Sequence, residues 1–179
     1  MLTASHLSVF KPIIPRRLQI VIRRALVRRK LPHNNHSWPI YPGSARPPSN
    51  WSGWPNGKKF ALVLTHDVDT QYGHDQCRLL TEIEARLGFR SSFNFVAEDY
   101  EISRQLLDYL TKEGFEIGQH GIHHTNPFTT EKHFKEQAVQ INGYLRKWNA
   151  VGFRCPSMYH KLEWIHNLDV EYDASTFDT

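Results

Sequence analysis

The sequence has few cysteines, no long apolar run and, over its first 50 residues, no acidic residue. The 179 residues include only two cysteines, which excludes a disulfide-stabilised scaffold. No apolar stretch approaches the roughly 20 residues that cross a bilayer, which excludes a multi-pass membrane protein. Hydrophobic residues still make up 40% of the chain, so a fully disordered chain is excluded as well.

The uneven distribution of acidic residues divides the chain into a basic part and an acidic part. Residues 1–50 contain nine Lys or Arg and no Asp or Glu. Residues 51–179 contain the other 13 bases and all 18 acidic residues, which gives them a net charge of −5. The formal net charge of +4 therefore describes neither part. A basic leader precedes an acidic domain.

The leader is predicted to form a basic amphipathic helix over residues 15–30. Leu18, Ile22 and Leu26 recur at helical spacing, and arginines cluster on the other side. Such a helix suits an anionic membrane surface or nucleic acid, because both offer negative charge. A solvated helix docked on its own domain is the third alternative. The acidic charge of the remaining chain argues against nucleic acid.

The first ten residues lack the basic segment, the long apolar core and the cleavage site of a secretory signal. We therefore expect a cytoplasmic protein or one that is peripheral to a membrane. Cys77 and Cys155 are expected to be free thiols.

Residues 31–57 are predicted to form an extended linker. They hold six of the ten prolines and three of the five tryptophans, namely Trp38, Trp51 and Trp54. Tryptophan surface is costly to leave in water, so we expect these rings to pack against the domain. Stacking against a sugar is the alternative.

From residue 58 onward, short apolar runs alternate with stretches of helical periodicity. The predicted strands cover residues 60–64, 89–96, 115–119, 150–153 and 170–174. The predicted helices cover residues 76–87, 102–112, 130–148 and 159–168. This alternation is typical of a parallel α/β architecture, either a barrel or an open sheet. No glycine-rich phosphate-binding motif follows the first strand, so nucleotide binding loses its main support.

Polar residues follow the predicted strands where such folds place their functional groups. Asp67 and Asp69 follow the first strand, His120 and His124 the third, and Arg154 the fourth, while the fifth strand runs toward residues 177–179. The carboxyl ends of parallel strands meet at one edge, so we expect these residues to converge on one rim.

The converging residues are of the types that bind a divalent metal. Two imidazoles and one carboxylate leave ligand positions for water, as a catalytic zinc site requires. Such an ion acidifies water and polarises a carbonyl, and a second carboxylate can serve as general base. Each motif alone is a weak signal, but their joint occurrence after three strands predicts a metal site. His66, His74 and His123 are alternatives as extra ligands, but we expect them to be supporting or surface groups. A metallophosphoesterase remains an alternative, although such enzymes usually bind two metal ions.

These residues, in this order, resemble the motifs of the polysaccharide deacetylase family. The segments at residues 88–96 and 171–179 are similar to members found beside bacterial exopolysaccharide genes. Asp67-Val68-Asp69 is similar to the first motif, His120 and His124 to the second, and Arg154-Cys155-Pro156 to the third. The resemblance implies that Asp67 is the general base, that Asp69 and the two histidines bind zinc, cobalt or another divalent ion, and that Arg154 holds the base carboxylate.

Ser157 stands where the family usually has an aromatic residue, and its backbone N–H is expected to donate to an oxyanion of the substrate. The implied reaction is removal of N-acetyl groups from a polysaccharide or oligosaccharide. The alternatives are a catalytically dead remnant that binds metal or carbohydrate, and a membrane-surface adaptor acting through residues 15–30.

The resemblance implies a partial (β/α) barrel over residues 58–179, with five of about seven strands present. The family's later motifs, including the histidine that usually acts as general acid, have no counterpart in the sequence. We therefore expect a C-terminally truncated domain whose isolated activity is weak or absent.

Overall fold

A computed structural model describes residues 15–30, 47 and 49–176. The chain divides into two compact units, residues 1–57 with 178–179 and residues 58–177. The predicted extension toward residues 177–179 lies outside the described residues, as does the linker tryptophan Trp38.

In the first unit, helix α1 spans Arg16–Lys30, so the helix predicted from the leader is confirmed. It begins after Pro15, whose carbonyl accepts hydrogen bonds from the backbone N–H groups of Leu18 at 2.9 Å and Gln19 at 3.1 Å. Among the described helices, none is long and apolar enough to cross a membrane. Further along this unit, the rings of Trp51 and Trp54 pack edge to face, with their centroids 5.2 Å apart.

The second unit alternates strands with helices, as predicted. Its strands are β1 (Thr65–Val68), β2 (Ser92–Phe95), β3 (Glu116–Gln119), β4 (Gly152–Phe153) and β5 (Tyr172–Asp173). Its helices are α2 (Gln71–Arg86), α3 (Arg104–Lys112), α4 (Glu131–Trp148) and α5 (Leu162–Ile165), with a short 3-10 turn at Pro156–Met158.

The five strands form one parallel sheet in the sequential order β1-β2-β3-β4-β5. Strand–helix–strand connections are nearly always right-handed, so sequential neighbours place all the helices on the same face. An open doubly wound sheet reverses its strand order and carries helices on both faces. The observed order is that of a barrel wall, so the predicted partial barrel is confirmed.

Alternation along the strands separates an apolar face from a polar face. On β2, Phe93 and Phe95 are buried in the core with side chains of the helices, including Leu110 and Ile141. Asn94 points to the other face of the sheet because successive side chains alternate. Asp67 on β1 stands beside Asn94 in the pairing register, so the candidate base lies on this opposite, polar face.

The first strand lies further along the chain than predicted. Phe60, Leu62 and Val63 are 77%, 64% and 79% exposed and precede the strand. Strand pairing begins where the carbonyl of Leu64 accepts a 3.0 Å hydrogen bond from the backbone N–H of Ser92. The prediction of residues 60–64 was wrong because apolar composition does not indicate where the partner strand begins.

The last helix is also shorter than predicted. The prediction covered residues 159–168, but α5 spans only Leu162–Ile165. Ser157 and Met158, within the 3-10 turn, have positive φ angles of 54° and 56°, which a helix does not allow. Tyr159 and Lys161 are extended, so the helix begins only at Leu162.

Candidate metal centre

Three side chains from two loops converge beside the carboxyl end of the sheet. Asp69 comes directly after β1, His120 directly after β3, and His124 lies four residues further along the same loop. The Nε2 atom of His120 is 3.4 Å from Asp69 Oδ1, and the Nε2 atom of His124 is 3.6 Å from Asp69 Oδ2. One ligand atom from each side chain lies within 4.8 Å of the other two. The structure therefore brings together the three residues that the motifs indicate as metal ligands.

The ring of His120 is held in a tautomer that suits a cation. Its Nδ1 atom lies 2.6 Å from the backbone carbonyl oxygen of Arg154, and a carbonyl can only accept. Nδ1 must therefore carry the hydrogen, and in the neutral ring Nε2 presents a lone pair. Burial lowers the pKa of His120, against the opposing effect of the Asp67 and Asp69 carboxylates, and so favours this neutral form. A lone pair that faces carboxylate oxygens is stabilised by a cation between them.

The separations of the donor atoms fit a small divalent ion. A zinc ion bound tetrahedrally by nitrogen and oxygen atoms at about 2.0–2.1 Å holds those atoms about 3.3 Å apart. Each histidine nitrogen lies close to this distance from a different oxygen of Asp69, at 3.4 and 3.6 Å, while one donor atom from each of the three side chains lies within 4.8 Å of the other two. Two imidazoles and one carboxylate are also the donor set of many catalytic zinc sites. The residues present thus fit the metal that the resemblance implies.

Asp67, the candidate base, has different partners from Asp69. Its Oδ1 atom accepts a 3.0 Å hydrogen bond from the side-chain amide of Asn94, and its Oδ2 atom lies 3.1 Å from Arg154 Nε. The Nε hydrogen is not aligned for a hydrogen bond, so this second contact is an ion pair. Arg154 is itself held by a 3.1 Å hydrogen bond from Nη1 to Thr65 Oγ1. Both carboxylate oxygens of Asp67 are therefore fixed in position.

Asn94 has room to reach Asp67 because its neighbour in the sheet is a glycine. Gly118 on β3 pairs with Asn94 in register. A Cβ atom at this position would collide with the Oδ1 atom of Asn94. Asn94 could not be identified from the sequence, because it lies inside a hydrophobic strand. Only the strand register shows that it adjoins Asp67.

The two aspartates do not cap the helix that follows them. Thr70 is the N-cap residue of α2, and its side chain accepts a hydrogen bond from the backbone N–H of Gly73 at 3.2 Å. The carboxylates of Asp67 and Asp69 remain available for other partners.

Asp99 anchors the loop that carries the two histidines. It lies after β2, and its Oδ2 atom accepts a 2.8 Å hydrogen bond from the backbone N–H of His124. Its Oδ1 atom is 2.7 Å from His123 Nδ1. Partial burial acts to raise the pKa of the Asp99 carboxyl, but the contacts with the His124 N–H and with His123 outweigh it, so the pKa is lowered. Asp99 could not be identified from the sequence, since no spacing rule connects it to the histidine motif.

The histidine loop also packs against the Arg-Cys-Pro segment. Gly121 has a φ of +87°, and a Cβ atom there would lie 3.1 Å from Pro156 Cγ and 3.0 Å from the carbonyl oxygen of His123. This close approach places the loop after β3 against the loop after β4. Glycine is required for both the backbone conformation and the packing.

The other three histidines considered have partners outside this cluster. His66 Nε2 lies 2.7 Å from Glu84 Oε1 on α2. His74 Nε2 accepts a 3.1 Å hydrogen bond from the backbone N–H of Ser103, and His123 contacts Asp99 as described. This arrangement agrees with the expectation that they are supporting or surface groups.

Cys155 and Ser157 differ in accessibility. Cys155 is fully buried, burial raises the pKa of its thiol to about 12, and its backbone N–H donates to Ser175 Oγ. It therefore has the properties of a small core residue and not of a nucleophile. Ser157 is exposed on the 3-10 turn, where its φ is 54°. Its role toward substrate stays a prediction.

The fold of the second unit is that of the polysaccharide deacetylases. The chain is similar to a solved polysaccharide deacetylase structure from Mycobacterium smegmatis, with a TM-score of 0.55 and 20% identity over 68% of this chain and 52% of that chain. It is also similar to the peptidoglycan deacetylase PdaC from Bacillus subtilis, with a TM-score of 0.50 and 18% identity over 63% of this chain and 56% of that chain.

A third similar structure is that of a mutant CE4-family pseudoenzyme, with a TM-score of 0.52 and 16% identity over 75% of this chain and 50% of that chain. The chain thus spans about half the length of these structures. No protein-family model and no curated protein matches the sequence. At these identities the likeness establishes the fold.

Proposed function

We propose that the second unit carries the metal-binding and base residues of a hydrolase that removes N-acetyl groups from a polysaccharide or oligosaccharide. The observation that carries the proposal is the lone pair of His120 Nε2 facing Asp69, with His124 completing the cluster. A three-residue donor set and an adjacent carboxylate such as Asp67 can carry out metal-assisted hydrolysis of an amide.

In this proposal Asp69, His120 and His124 hold the divalent ion, with zinc as the best match to the donor atoms. When bound, such an ion supplies Lewis acidity toward a carbonyl and lowers the pKa of water. The protein contributes the fixed tautomer of His120 and the anchored loop of His124.

Asp67 accepts the proton of the attacking water. Arg154 and Asn94 hold its two oxygens, so the carboxylate meets the water in a fixed orientation. The water oxygen forms a bond to the acetyl carbon, and the bond from that carbon to nitrogen then breaks. The proton taken by Asp67 can be returned to the departing nitrogen, which leaves acetate and a free amine. Ser157 supplies a backbone N–H for the substrate oxygen in this scheme.

The rim is open enough for a polymeric substrate. The side chains of Asp67, His124 and Asp69 are 30%, 38% and 44% exposed. An acetyl group on a long chain can therefore reach them without passing through a closed cavity. This exposure favours a polysaccharide or oligosaccharide over a small enclosed ligand.

A second candidate function is binding of metal and carbohydrate without turnover. It is favoured by the similarity of the fold to that of a mutant CE4-family pseudoenzyme. The two candidates share the metal cluster and differ only in whether Asp67 and its partners complete the chemistry.

The first test measures metal binding to the full chain. Metal-stripped protein is titrated with zinc by calorimetry and with cobalt by absorption. We expect Asp69→Asn to weaken binding by about 100-fold or more, because one of three ligands is lost. Asp108→Asn, an exposed carboxylate on α3, is the matched control and should leave the affinity unchanged. Equal zinc affinity in Asp69→Asn and unsubstituted protein would contradict the ligand assignment.

The second test measures acetate released from N-acetylated oligosaccharides by metal-loaded protein. We expect Asp67→Asn to keep its metal affinity and to lower whatever acetate release the unsubstituted chain shows by about 100-fold or more. Normal zinc affinity without any release by the unsubstituted chain would favour the binding function instead.

A further inference from the structure

Helix α1 presents an exposed apolar strip. Leu18, Val21 and Leu26 are 51%, 59% and 41% exposed, although such side chains are usually buried. At 100° per residue they lie on one side of the helix together with Ile22 and Ala25. The strip extends from Leu18 to Leu26.

The charged residues of the helix are all basic. Arg16–Lys30 contains seven basic residues and no acidic residue, and the first 50 residues contain no Asp or Glu at all. Arg17, Arg24 and Arg28 lie together along one edge of the strip, next to Val21. Arg29 falls within the strip, where its long stem can lie along an apolar surface while its charge stays in water. A partner of this helix must combine an apolar interior with a negatively charged surface.

We propose that α1 binds the surface of an anionic lipid bilayer, lying in the plane of the headgroups with the strip directed toward the acyl chains. At 1.5 Å per residue the helix is about 22 Å long, shorter than the roughly 30 Å apolar layer, and its arginines oppose insertion across it. Nucleic acid would neutralise the arginines but leave Leu18, Val21 and Leu26 in water. This proposal is independent of the chemistry proposed for the metal cluster.

The test measures binding of the full chain to vesicles by co-sedimentation. Vesicles of phosphatidylcholine alone are compared with vesicles that also contain phosphatidylglycerol. We expect binding only to the anionic vesicles, and we expect added salt to weaken it. The double variant Leu18→Ser, Val21→Ser should bind about tenfold more weakly, because it removes apolar contact and keeps every charge.

Ile20→Ser is the matched control, since Ile20 is 41% exposed but lies among the arginines and off the strip. It should bind as the unsubstituted chain does, and zinc affinity should be equal in all variants. Two results would overturn the proposal. One is equal binding to both kinds of vesicle or to neither. The other is tight binding to duplex DNA that the Leu18→Ser, Val21→Ser variant retains.

Discussion

Asp67 and Asp69 are two residues apart, yet their surroundings give them different roles. Both carboxylates face His120, with distances to its Nε2 atom of 3.9 Å from Asp67 and 3.4 Å from Asp69. Arg154 compensates the charge of Asp67, whereas Asp69 faces two imidazoles. A cation is therefore more strongly needed at Asp69.

Asp99 is a positioning residue in this scheme, and its removal is expected to weaken metal binding. It accepts from the backbone N–H of His124 and contacts His123, so Asp99→Asn disturbs the loop that carries a ligand. We predict about a tenfold loss of zinc affinity, the usual effect of removing a group that orients a ligand. The measurement is calorimetric titration of metal-stripped protein.

The matched control for Asp99→Asn is Glu101→Gln. Glu101 is exposed and lies two positions after Asp99, in the loop that follows β2. It removes one negative charge close to Asp99, so a general electrostatic effect would weaken binding in both variants. A loss of affinity in Asp99→Asn alone supports positioning of His124. Equal affinities in Asp99→Asn and unsubstituted protein would count against it.

At the scale of elements, the contact between the two site loops depends on Gly121. Its φ is +87°, and an added Cβ atom would lie only 3.0 Å from the carbonyl oxygen of His123 and 3.1 Å from Pro156 Cγ, so a side chain would be both strained and crowded. We predict that Gly121→Ala lowers the free energy of unfolding by about 1–3 kcal/mol, measured by urea denaturation.

Gly143→Ala is the control for Gly121→Ala, and it should stabilise the protein. Gly143 lies within α4, and a Cβ atom there meets nothing within 4 Å. Alanine has a higher helix propensity than glycine, so this variant should raise the free energy of unfolding by about 0.5–1 kcal/mol. A similar change in both variants would show that the site loops tolerate a side chain at residue 121.

Much of the element pattern could be predicted because periodicity reports burial. The helices predicted at residues 102–112 and 130–148 match α3 (Arg104–Lys112) and α4 (Glu131–Trp148) closely, since their buried residues recur along one side. The first strand could not be placed, because its start depends on hydrogen bonds to β2. The metal ligands were predictable from motifs at strand ends. Asn94 and Asp99 were not, because each acts through a contact between distant segments.

At the scale of the molecule, both cysteines are buried in the core of the second unit. Burial raises the pKa of each thiol from 9.0 to about 12. At pH 8 only about one thiol in 10,000 is then the reactive thiolate. We predict that a disulfide reagent modifies the native protein very slowly and modifies two thiols per chain in urea.

The same shifts predict a loss of stability at high pH. The thiols ionise more readily in the unfolded chain, so their contribution is fully present below pH 9.0 and falls as the pH rises toward 12. Both predictions depend on the burial of Cys77 and Cys155, and rapid labelling of the native protein by the disulfide reagent at pH 8 would contradict it.

The division of the chain into two units separates its two proposed interactions. Every proposed metal ligand lies in residues 58–177, and α1 lies in residues 1–57. We propose that the basic leader and linker are not needed for the metal cluster. A chain that starts at Lys58 should therefore bind zinc with the affinity of the full chain and lose binding to anionic vesicles. Both are measured on the same preparations, with circular dichroism to establish that the shortened chain is folded. A folded chain from Lys58 with weakened zinc binding would show that the leader supports the site, and retained vesicle binding would place the lipid-binding surface outside α1.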